Sequence, residues 1–299
     1  MKIYNNLNLN RKHRNGVIAI GNFDGIHLGH RKVINEAKKM AKKNKLPFGL
    51  MTFEPVPVMF FNKKIKNHRI SSLEQKKDQL KKLKLDFLII INFNKNFSFL
   101  SAEEFIKNII HKKTSCRFLY VSKNFRFGFK RRGNIQTLKK FEKAFNYKNI
   151  VTKPYKNQKN IVSSTFIRKK IRSGKIEIVN KLLDRCWCVE GKVIRGERRG
   201  RKIGFPTCNV NLNSYVIPKL GVYAVKVKVG GLKKNGISNI GYRPTFNGKS
   251  LILETNIFGI NKNLYNKVIS INFKKFIRRE KKFKDLEHLK KQIKIDIKK

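Results

Sequence analysis

Cysteine, tryptophan and acidic residues are scarce in this chain of 299 residues, which has four cysteines, one tryptophan and 18 aspartates and glutamates. No two cysteines form a Cys-x-x-Cys pair, so we expect neither a zinc site nor a disulfide framework. Cys186-Trp187-Cys188 has the alternating pattern of a strand, so we interpret its two cysteines as core-packing residues. No apolar run approaches the ~18 residues of a membrane helix, and the N-terminus lacks the apolar stretch of a signal peptide. We therefore expect a soluble, cytoplasmic protein without a membrane partner.

The shortage of acidic residues leaves a large positive charge, because 71 lysines and arginines give a net charge of +53. The cations run through both halves of the chain and occur with abundant asparagine and isoleucine, whose codons are rich in A and T. We favour a compositional bias of the genome over a specific nucleic-acid partner. The alternative, a nucleic-acid-binding protein, predicts clustered cations and tight, selective binding at physiological salt.

The first part of the chain alternates predicted strands with predicted helices. Apolar runs predict four strands, at residues 17–20, 48–53, 86–93 and 118–121. The helical spacing of apolar residues predicts a helix from Leu28 to about Lys45. Capping signals predict two further helix starts, at Ser71 and Ser101. Such alternation is typical of a parallel sheet covered by helices.

The second part of the chain contains short predicted strands separated by glycine, proline and asparagine. They lie at residues 188–194, 221–227, 236–240, 251–258 and 268–273. Because no long helical stretch separates them, they predict an antiparallel barrel. An amphipathic helix is predicted at residues 284–297. We place the domain boundary after Asp184, which gives domains of residues 1–184 and 185–299.

The most informative segment of the first domain, Gly21–His30, places a glycine-rich turn between a predicted strand and a predicted helix. Glycines allow backbone amides to approach phosphate oxygens, and a helix N-terminus carries partial positive charge. His27 and His30 are three residues apart, so both imidazoles can donate to a phosphate that gains charge in a transition state. Because no nucleophile stands beside a base, we expect direct displacement on a phosphate. The alternative is a pair of surface histidines beside a flexible turn.

The His-x-Gly-His element resembles the nucleotidyltransferase superfamily, which includes class I tRNA synthetases. The sequence has no Lys-Met-Ser-Lys-Ser-like loop, which a synthetase would need. Instead, Val162–Arg168 opens a predicted helix with two serines and a threonine, which can cap the helix and bind phosphate oxygens. Arg168, one turn into that helix, can bind a β- or γ-phosphate. Capping alone is the alternative role of the serines.

A loop of glycines and cations, Gly196–Asn209, opens the second domain. Such a loop can wrap a polyphosphate. Thr207 and Asn209 are two residues apart, so on a strand their side chains face the same side. Their oxygens can then help to hold Mg²⁺. Taken alone, the segment is equally compatible with a basic hairpin loop that carries a capping threonine.

The whole set of motifs resembles one family, the bacterial bifunctional riboflavin kinase/FMN adenylyltransferases, over nearly the full chain. In order, the motifs are Gly21–His30, Thr52–Pro55, Leu100–Phe105, Asn124–Gly128, Ser163–Arg168, Gly204–Asn209, Gly221–Tyr223, Asn239–Phe246, Leu253–Asn256, Leu264–Lys267 and Arg278–Phe283. The resemblance implies an α/β, Rossmann-like nucleotidyltransferase domain with a parallel sheet. An antiparallel β-barrel riboflavin kinase domain with a terminal helix is expected to follow it.

The resemblance also implies two Mg²⁺-dependent reactions, with flavin as substrate and product. The barrel would transfer the γ-phosphate of ATP to riboflavin, and the first domain would adenylylate the FMN to FAD. Glu254 is then the general base for the riboflavin 5′-hydroxyl, His27 and His30 stabilise the ATP phosphates, and Thr207 and Asn209 hold the metal. The implied nucleotide-binding residues are Gly21, Phe23, Asp24, Gly29, Asn124, Ser163, Ser164, Thr165, Arg168, Gly200 and Gly204.

Five positions depart from the family pattern: Val56, Ser122, Phe166, Cys208 and Asn256. Val56 removes a histidine from the common Phe-Glu-Pro-His-Pro, and Phe166 replaces a frequent arginine. Three of the five, Val56, Ser122 and Phe166, lie in the first domain, where they bear on the adenylyltransferase reaction. The rival hypothesis among enzymes is therefore a riboflavin kinase whose adenylyltransferase half has decayed, which predicts that FMN accumulates without FAD.

Overall fold

The computed structural model describes residues 1–158, 160–196, 200, 204–245, 248–260 and 262–298. The chain forms two compact units. The first comprises Met1–Ile65 and Leu73–Ser163, and the second comprises Lys66–Ser72 and Ser164–Lys299. The predicted boundary between the two functional domains, after residue 184, stays a prediction. Among the described residues, no helix combines the length and the apolar character needed to cross a membrane.

A parallel sheet of six strands forms the centre of the first unit. In chain order the strands are β1 (Lys2–Tyr4), β2 (Val17–Ile20), β3 (Phe48–Glu54), β4 (Phe87–Asn92), β5 (Phe118–Ser122) and β6 (Lys148–Thr152). In space their order is β1-β4-β3-β2-β5-β6, and every adjacent pair is parallel. The parallel sheet expected from the sequence is confirmed, whereas β1 and β6 were not predicted.

The apolar run of β2 suits its central position, because a parallel strand covered on both faces needs apolar residues throughout. Val17 and Ala19 pack into the core on one face of the sheet, and Ile18 and Ile20 pack into the core on the other. The helices of this unit are α1 (Leu28–Lys43), α2 (Pro57–Phe61), α3 (Leu73–Lys82), α4 (Lys95–Phe99), α5 (Ala102–Glu104), which continues as a π-helix over Phe105–Lys113, and α6 (Ile135–Lys140). Short 3₁₀ segments at Arg11–His13 and Phe129–Arg131 and a hairpin of β7 (Lys156–Asn157) and β8 (Asn160–Ile161) complete the unit.

The start of α5 has the capping box that the sequence predicts. The Ser101 hydroxyl accepts a hydrogen bond from the Glu104 backbone N–H at 3.1 Å, and a Glu104 carboxylate oxygen accepts one from the Ser101 N–H at 2.7 Å. The hydrogen bonds from Ser101 hold the pKa of the Glu104 carboxyl below its ordinary value. The helix predicted after Ser71 is also confirmed, as α3.

The order of the strands changes direction at the centre of the sheet. From β2 the chain adds β3 and β4 on one side, and it then places β5 and β6 on the other side. Ligands of open parallel sheets bind at such a point, outside the carboxyl ends of the strands. The segment Gly21–His30 follows β2, and the exposed Asn124 follows β5, so both leave the sheet at this position.

The second unit contains a closed antiparallel barrel of six strands with the order β10-β13-β12-β11-β14-β9. The strands are β9 (Cys188–Ile194), β10 (Thr207–Asn211), β11 (Gly221–Val229), β12 (Leu232–Thr245), β13 (Gly248–Ile257) and β14 (Val268–Arg278). Helices α7 (Ser164–Arg172) and α8 (Ile176–Leu183) precede the barrel, and α9 (Leu286–Ile297) follows it. The antiparallel barrel and the terminal helix expected from the sequence are confirmed.

An early segment of the sequence, Lys66–Ser72, is part of this second unit. The backbone N–H of His68 donates to the carbonyl oxygen of Ser214 at 2.8 Å. Trp187 is 1% exposed, and its indole N–H donates to the carbonyl oxygen of Ile70 at 2.9 Å. The segment therefore satisfies a buried donor that the barrel sequence alone would leave without a partner.

Trp187, rather than the cysteines beside it, occupies the core of the barrel. Its ring centroid lies 4.7 Å from that of Phe273, whereas Cys186 and Cys188 are only partly buried. The prediction that these cysteines pack in the core is wrong. The residue between them packs there instead, because neighbouring side chains in an extended chain point to opposite faces. Burial raises the pKa of the Cys116 thiol to about 12 and also raises the pKa of Cys208. Both thiols are therefore protonated at neutral pH.

A buried ion pair attaches α9 to the barrel. The Arg278 guanidinium on β14 donates to the carboxylate of Asp296 on α9 at distances of 2.7, 2.9 and 3.0 Å. Asp296 is 1% exposed and also accepts a hydrogen bond from Gln292 Nε2 at 2.9 Å. Loss of the arginine would leave a buried carboxylate without its cation, which is strongly destabilising.

We expect Arg278→Ala to lower the free energy of unfolding of the second unit by about 3 kcal/mol. Urea denaturation of the full chain measures this change through the fluorescence of Trp187, the single tryptophan of the sequence. The matched control is Lys275→Ala, which removes an exposed cation from the same strand and should cost less than about 0.5 kcal/mol. A loss below about 1 kcal/mol for Arg278→Ala, the range of an exposed pair, would contradict the role of this ion pair.

Candidate functional site

The turn that follows β2 is buried and has an unusual backbone. Phe23, Gly25 and Ile26 have positive φ angles of 44°, 84° and 40°, in the left-handed region that favours glycine. Phe23, Asp24 and Ile26 are at most 3% exposed. Non-glycine residues keep such a conformation only where the surrounding structure holds it, and they concentrate at functional sites.

His27 ends this turn as the N-cap of α1. Its Nδ1 accepts a hydrogen bond from the backbone N–H of His30 at 3.2 Å. Because Nδ1 keeps its lone pair for this bond, the proton of the neutral ring lies on Nε2, which can donate to a ligand. The His30 ring stacks on the His27 ring, with centroids 3.6 Å apart and planes inclined by 18°. The structure therefore brings the two predicted histidines together at a helix N-terminus, where anions are favoured.

Gly29 permits a close approach of the chain to this helix end. A Cβ at residue 29 would lie 3.1 Å from the His27 ring and 2.8 Å from the carbonyl oxygen of Val162. The backbone just before Ser163 therefore passes beside the first turn of α1. Ser163 and the His-x-Gly-His element are thus neighbours within the first unit.

The other residues of the serine-rich motif belong to α7 in the second unit. This helix begins at Ser164, as the sequence predicts. Arg168 Nε donates to the carbonyl oxygen of His68 at 2.8 Å, which fixes the guanidinium within that unit. Ser164 is partly buried and Thr165 is exposed. Their roles in phosphate binding stay predictions.

A second group of polar side chains lies on three neighbouring strands of the barrel. Asn209 on β10 pairs with Glu254 on β13, and Glu254 pairs with Asn239 on β12. Directly opposed residues project to the same face, with Cβ atoms about 5 Å apart. The other face is the barrel interior, where the hydroxyls of Ser238 and Thr255 are fully buried and lie 2.8 Å apart. The structure therefore gathers Asn209, Glu254 and Asn239 on the outer face.

Thr207 precedes Asn209 by two residues on β10 and shares its face. Gly200 lies beside it, since a Cβ at residue 200 would be 3.3 Å from Thr207 Oγ1. Gly204 has a φ of +83°, which explains the need for glycine there. Residues 197–199 and 201–203, which include all four cations of the predicted phosphate loop, and Phe246 of a later motif lie outside the described residues.

Asn209 Oδ1 is the atom of this group that best fits a metal ligand. It is buried and accepts no hydrogen bond from any residue that the structure describes. Neutral and anionic oxygens are the ligands that Mg²⁺ prefers, and Thr207 and Glu254 supply further oxygens on the same face. Within the described ranges, no cluster of three or more His, Cys, Asp or Glu side chains could hold a metal ion. The hydroxyl, amide and carboxylate oxygens of Thr207, Asn209 and Glu254 are nevertheless the donor type that Mg²⁺ prefers, so the donor set fits this ion by its chemistry.

Three further side chains near this group were missed as site residues by the sequence analysis. Asn239 Nδ2 donates to Glu280 Oε1 at 3.1 Å, which ties β12 to the segment after β14. Asn256 Nδ2 donates to the carbonyl oxygen of Pro206 at 2.7 Å, which ties β13 to the Gly-Phe-Pro-Thr turn. All three belong to quoted motifs, but the spacing of a motif does not show which strands pair.

Each part of the chain matches a family model, and the two models follow in the order of the two units. Residues 9–166 match the FAD synthetase model, and residues 183–299 match the riboflavin kinase model. The bifunctional riboflavin kinase/FMN adenylyltransferase of Buchnera aphidicola subsp. Schizaphis graminum is 42% identical over 295 residues, which cover 97% of this chain and 94% of the relative. The chain belongs to the bifunctional riboflavin kinase/FMN adenylyltransferase family.

More distant members of this family match over almost the same length. The protein of the same name from Bacillus subtilis strain 168 is 39% identical, covering 94% of this chain and 90% of its own. That of Escherichia coli K12 is 34% identical, covering 93% and 89%. The crystal structure of a macrolide-efflux protein from Streptococcus pneumoniae matches with a TM-score of 0.87 at 29% identity, covering 99% of this chain and 97% of that one.

The structure shows what surrounds two residues, Val56 and Phe166, that differ from the pattern of the riboflavin kinase/FMN adenylyltransferase family. Val56 is 3% exposed and stands at the N-cap of α2, where it makes no side-chain cap bond. Phe166 lies in α7 with Lys170 Nζ 4.9 Å from its ring centroid. A cation therefore remains within one helical turn of the position where the family often has arginine.

Proposed function

We propose that this chain phosphorylates riboflavin at the barrel and then adenylylates the product, FMN, at the parallel sheet to give FAD. The observation that carries the proposal is the presence of two separate polar groups, one for each reaction, in units that match the two family models in order. ATP is the co-substrate of both reactions, and flavin is substrate and product. Since both reactions consume ATP, we place the protein in the cytoplasm.

In the kinase reaction, Glu254 accepts the proton of the riboflavin 5′-hydroxyl while the oxygen attacks the γ-phosphorus of ATP and ADP departs. A carboxylate is a suitable base for this step once the hydroxyl lies within hydrogen-bond reach. Phosphoryl transfer otherwise depends on positioning and on neutralisation of charge. The strand pairs on both sides of Glu254 support this, because they hold its backbone between Asn209 and Asn239.

Thr207 Oγ1 and Asn209 Oδ1 are the groups that would hold Mg²⁺ in the kinase site. When bound, the ion neutralises phosphate charge as a Lewis acid. The buried Asn209 Oδ1, which has no hydrogen-bond donor among the described residues, supports this assignment.

We expect Gly196→Ala to lower kcat/KM for riboflavin phosphorylation about tenfold or more and to raise the Mg²⁺ concentration needed for half-maximal rate. The new methyl would lie 1.7 Å from Asn209 Nδ2, so the amide must move and carry Oδ1 with it. Initial rates over a Mg²⁺ series measure both effects. FAD formation from supplied FMN in the same preparation is the control and should stay within about twofold. An unchanged Mg²⁺ dependence would contradict the role of Asn209.

In the adenylylation reaction, a phosphate oxygen of FMN attacks the α-phosphorus of ATP, and pyrophosphate leaves. His27 Nε2 and His30 donate hydrogen bonds to the phosphate oxygens as charge develops on them. The backbone N–H groups at the start of α1 add the partial positive charge of a helix N-terminus. We assign Ser163, Ser164, Thr165 and Arg168 to the β- and γ-phosphates, and Asn124 to the flavin or nucleotide.

The experiment that tests this function incubates the purified chain with riboflavin, ATP and Mg²⁺ and separates the flavins by chromatography over time. FMN that appears first, followed by FAD, is the expected result. A parallel sample with a chelator should form neither product, because both reactions are assigned a Mg²⁺ requirement.

Two other outcomes would overturn parts of the proposal. FMN without FAD would favour the decayed adenylyltransferase domain, for which Val56, Ser122 and Phe166 are the first positions to examine. If a folded sample converts no riboflavin, the result would favour the alternative hypothesis of a nucleic-acid-binding protein, which rests on the net charge of +53.

A further inference from the structure

A buried lysine, Lys76, contacts the turn that follows β2 in the first unit. Lys76 in α3 is 1% exposed, although lysine is almost never fully buried without partners. Its Nζ donates to the carbonyl oxygen of Asn22 at 2.9 Å and to Thr52 Oγ1 at 3.3 Å. Burial of an ammonium group is expensive, so its position calls for a physical reason.

These two hydrogen bonds of Lys76 converge on a single backbone group. Thr52 on β3 is fully buried, and its hydroxyl donates to the same Asn22 carbonyl oxygen at 3.1 Å. One carbonyl oxygen therefore accepts hydrogen bonds from both a buried ammonium and a buried hydroxyl. This carbonyl lies directly before Phe23, the first of the positive-φ residues of the turn.

The two hydrogen bonds to the Asn22 carbonyl oxygen fix the orientation of the whole peptide group between Asn22 and Phe23. In a planar trans peptide the C=O and N–H groups point in opposite directions. Holding the Asn22 carbonyl towards Lys76 therefore holds the Phe23 N–H away from it. The left-handed backbone of Phe23 and Ile26 is costly for residues other than glycine and needs such support from its surroundings.

We propose that Lys76 is a positioning residue for adenylyl transfer, which acts by clamping the Asn22 carbonyl and thereby fixing the turn that presents the Phe23 amide and His27 to the ATP phosphates. This inference rests on the adenylylation reaction proposed above. The Lys76 side chain also brings its hydrogen-bond donors to the turn that we assign to the ATP phosphates, in a low-dielectric setting where hydrogen bonds are electrostatically stronger than in water.

The test uses Lys76→Met in the full chain, which keeps the length of the side chain but removes its charge and its donors. We expect KM for ATP in FAD formation to rise about tenfold and kcat to fall about tenfold, a loss of about 10²-fold in kcat/KM, as expected for a small misplacement of binding groups. KM for FMN and the rate of riboflavin phosphorylation should each stay within about twofold, because neither depends on this turn.

The matched control is Lys81→Met, which makes the same chemical change at an exposed position of the same helix. It should match the wild type in both activities. Thr52→Val removes the second donor to Asn22 without removing a charge, and it should raise KM for ATP by a smaller factor. Because Thr52 and Lys76 hold the same oxygen, the effects of the two substitutions should not be additive.

The outcomes separate positioning from simple support of the fold. A Lys76→Met chain with reduced kcat and unchanged KM for ATP would overturn the proposal, because loss of folded enzyme lowers the rate without changing KM. If Lys76→Met fails to fold, an unchanged KM for ATP in Thr52→Val would overturn it instead. A wild-type chain that makes no FAD would overturn the adenylylation reaction itself, whereas FAD formation equal in wild type and Lys76→Met would overturn only the role of Lys76.

Discussion

Glu254→Gln is expected to lower kcat for riboflavin phosphorylation about 10³-fold, because an amide cannot accept the proton of the 5′-hydroxyl. The substitution preserves the size of the side chain and its place between Asn209 and Asn239. FAD formation from supplied FMN should stay within about twofold of the wild type, since the histidines that serve it belong to the other compact unit. Initial rates with riboflavin and with FMN as separate substrates measure both effects.

The matched control for Glu254→Gln is Glu190→Gln, on strand β9 of the same barrel. Glu190 is also partly buried, and its carboxylate accepts a hydrogen bond from the Ser270 hydroxyl at 2.8 Å. Glu190 lies on the same outer face but four residues along β9 from Ile194, which pairs with Asn209, so its loss removes a barrel carboxylate away from the proposed site and should leave phosphorylation within about threefold. A Glu254→Gln chain that still phosphorylates riboflavin at a tenth of the normal rate would contradict the assignment of the base.

His27→Ala is expected to lower FAD formation from FMN about 10²- to 10³-fold, the usual cost of removing one donor that stabilises transition-state charge. Riboflavin phosphorylation should stay within about twofold, so FMN should accumulate. The substitution also removes the cap of α1, which costs about 1 kcal/mol of stability. Rates and thermal unfolding therefore have to be measured on the same samples.

Two variants separate the chemistry of His27 from its capping role. His27→Ser provides a good N-cap but has no group that can replace Nε2, so it should recover stability while FAD formation stays low. His111→Ala removes an exposed histidine from the same unit and should leave both activities unchanged. Recovery of FAD formation in His27→Ser would show that capping, rather than donation to phosphate, is what His27 contributes.

Much of the fold follows from local sequence patterns. The apolar run of β2, the helical spacing of α1 and the capping box at Ser101 each depend on residues close together in the chain. The strand and helix predictions hold because the two faces of the parallel sheet bury the residues that the pattern makes apolar, and the capping box holds because its two hydrogen bonds join residues only three apart. The edge strands β1 and β6 have less continuous apolar runs than β2 and were not predicted.

The parts that the sequence did not reveal depend on contacts between distant residues. Lys76 shares a helical face with Leu73 and Leu80, which separates it from the exposed Lys81, but this spacing does not show which distant carbonyl group its ammonium contacts. Asn239 can be recognised as a neighbour of Glu254 only once the pairing of β12 with β13 is known. The segment Lys66–Ser72 lies in the middle of the first unit by sequence, yet it packs in the second unit through backbone groups that any sequence offers.

The most direct test of two separate sites in one chain is to mix the Glu254→Gln and His27→Ala variants. Each alone should convert riboflavin to FAD at a small fraction of the wild-type rate, because the first forms FMN very slowly and the second adenylylates FMN very slowly. With riboflavin, ATP and Mg²⁺, the mixture should form FAD after a lag in which free FMN accumulates and then declines. A mixture that forms no more FAD than the sum of the two variants, although both are folded, would contradict the account of two independent sites joined by free FMN.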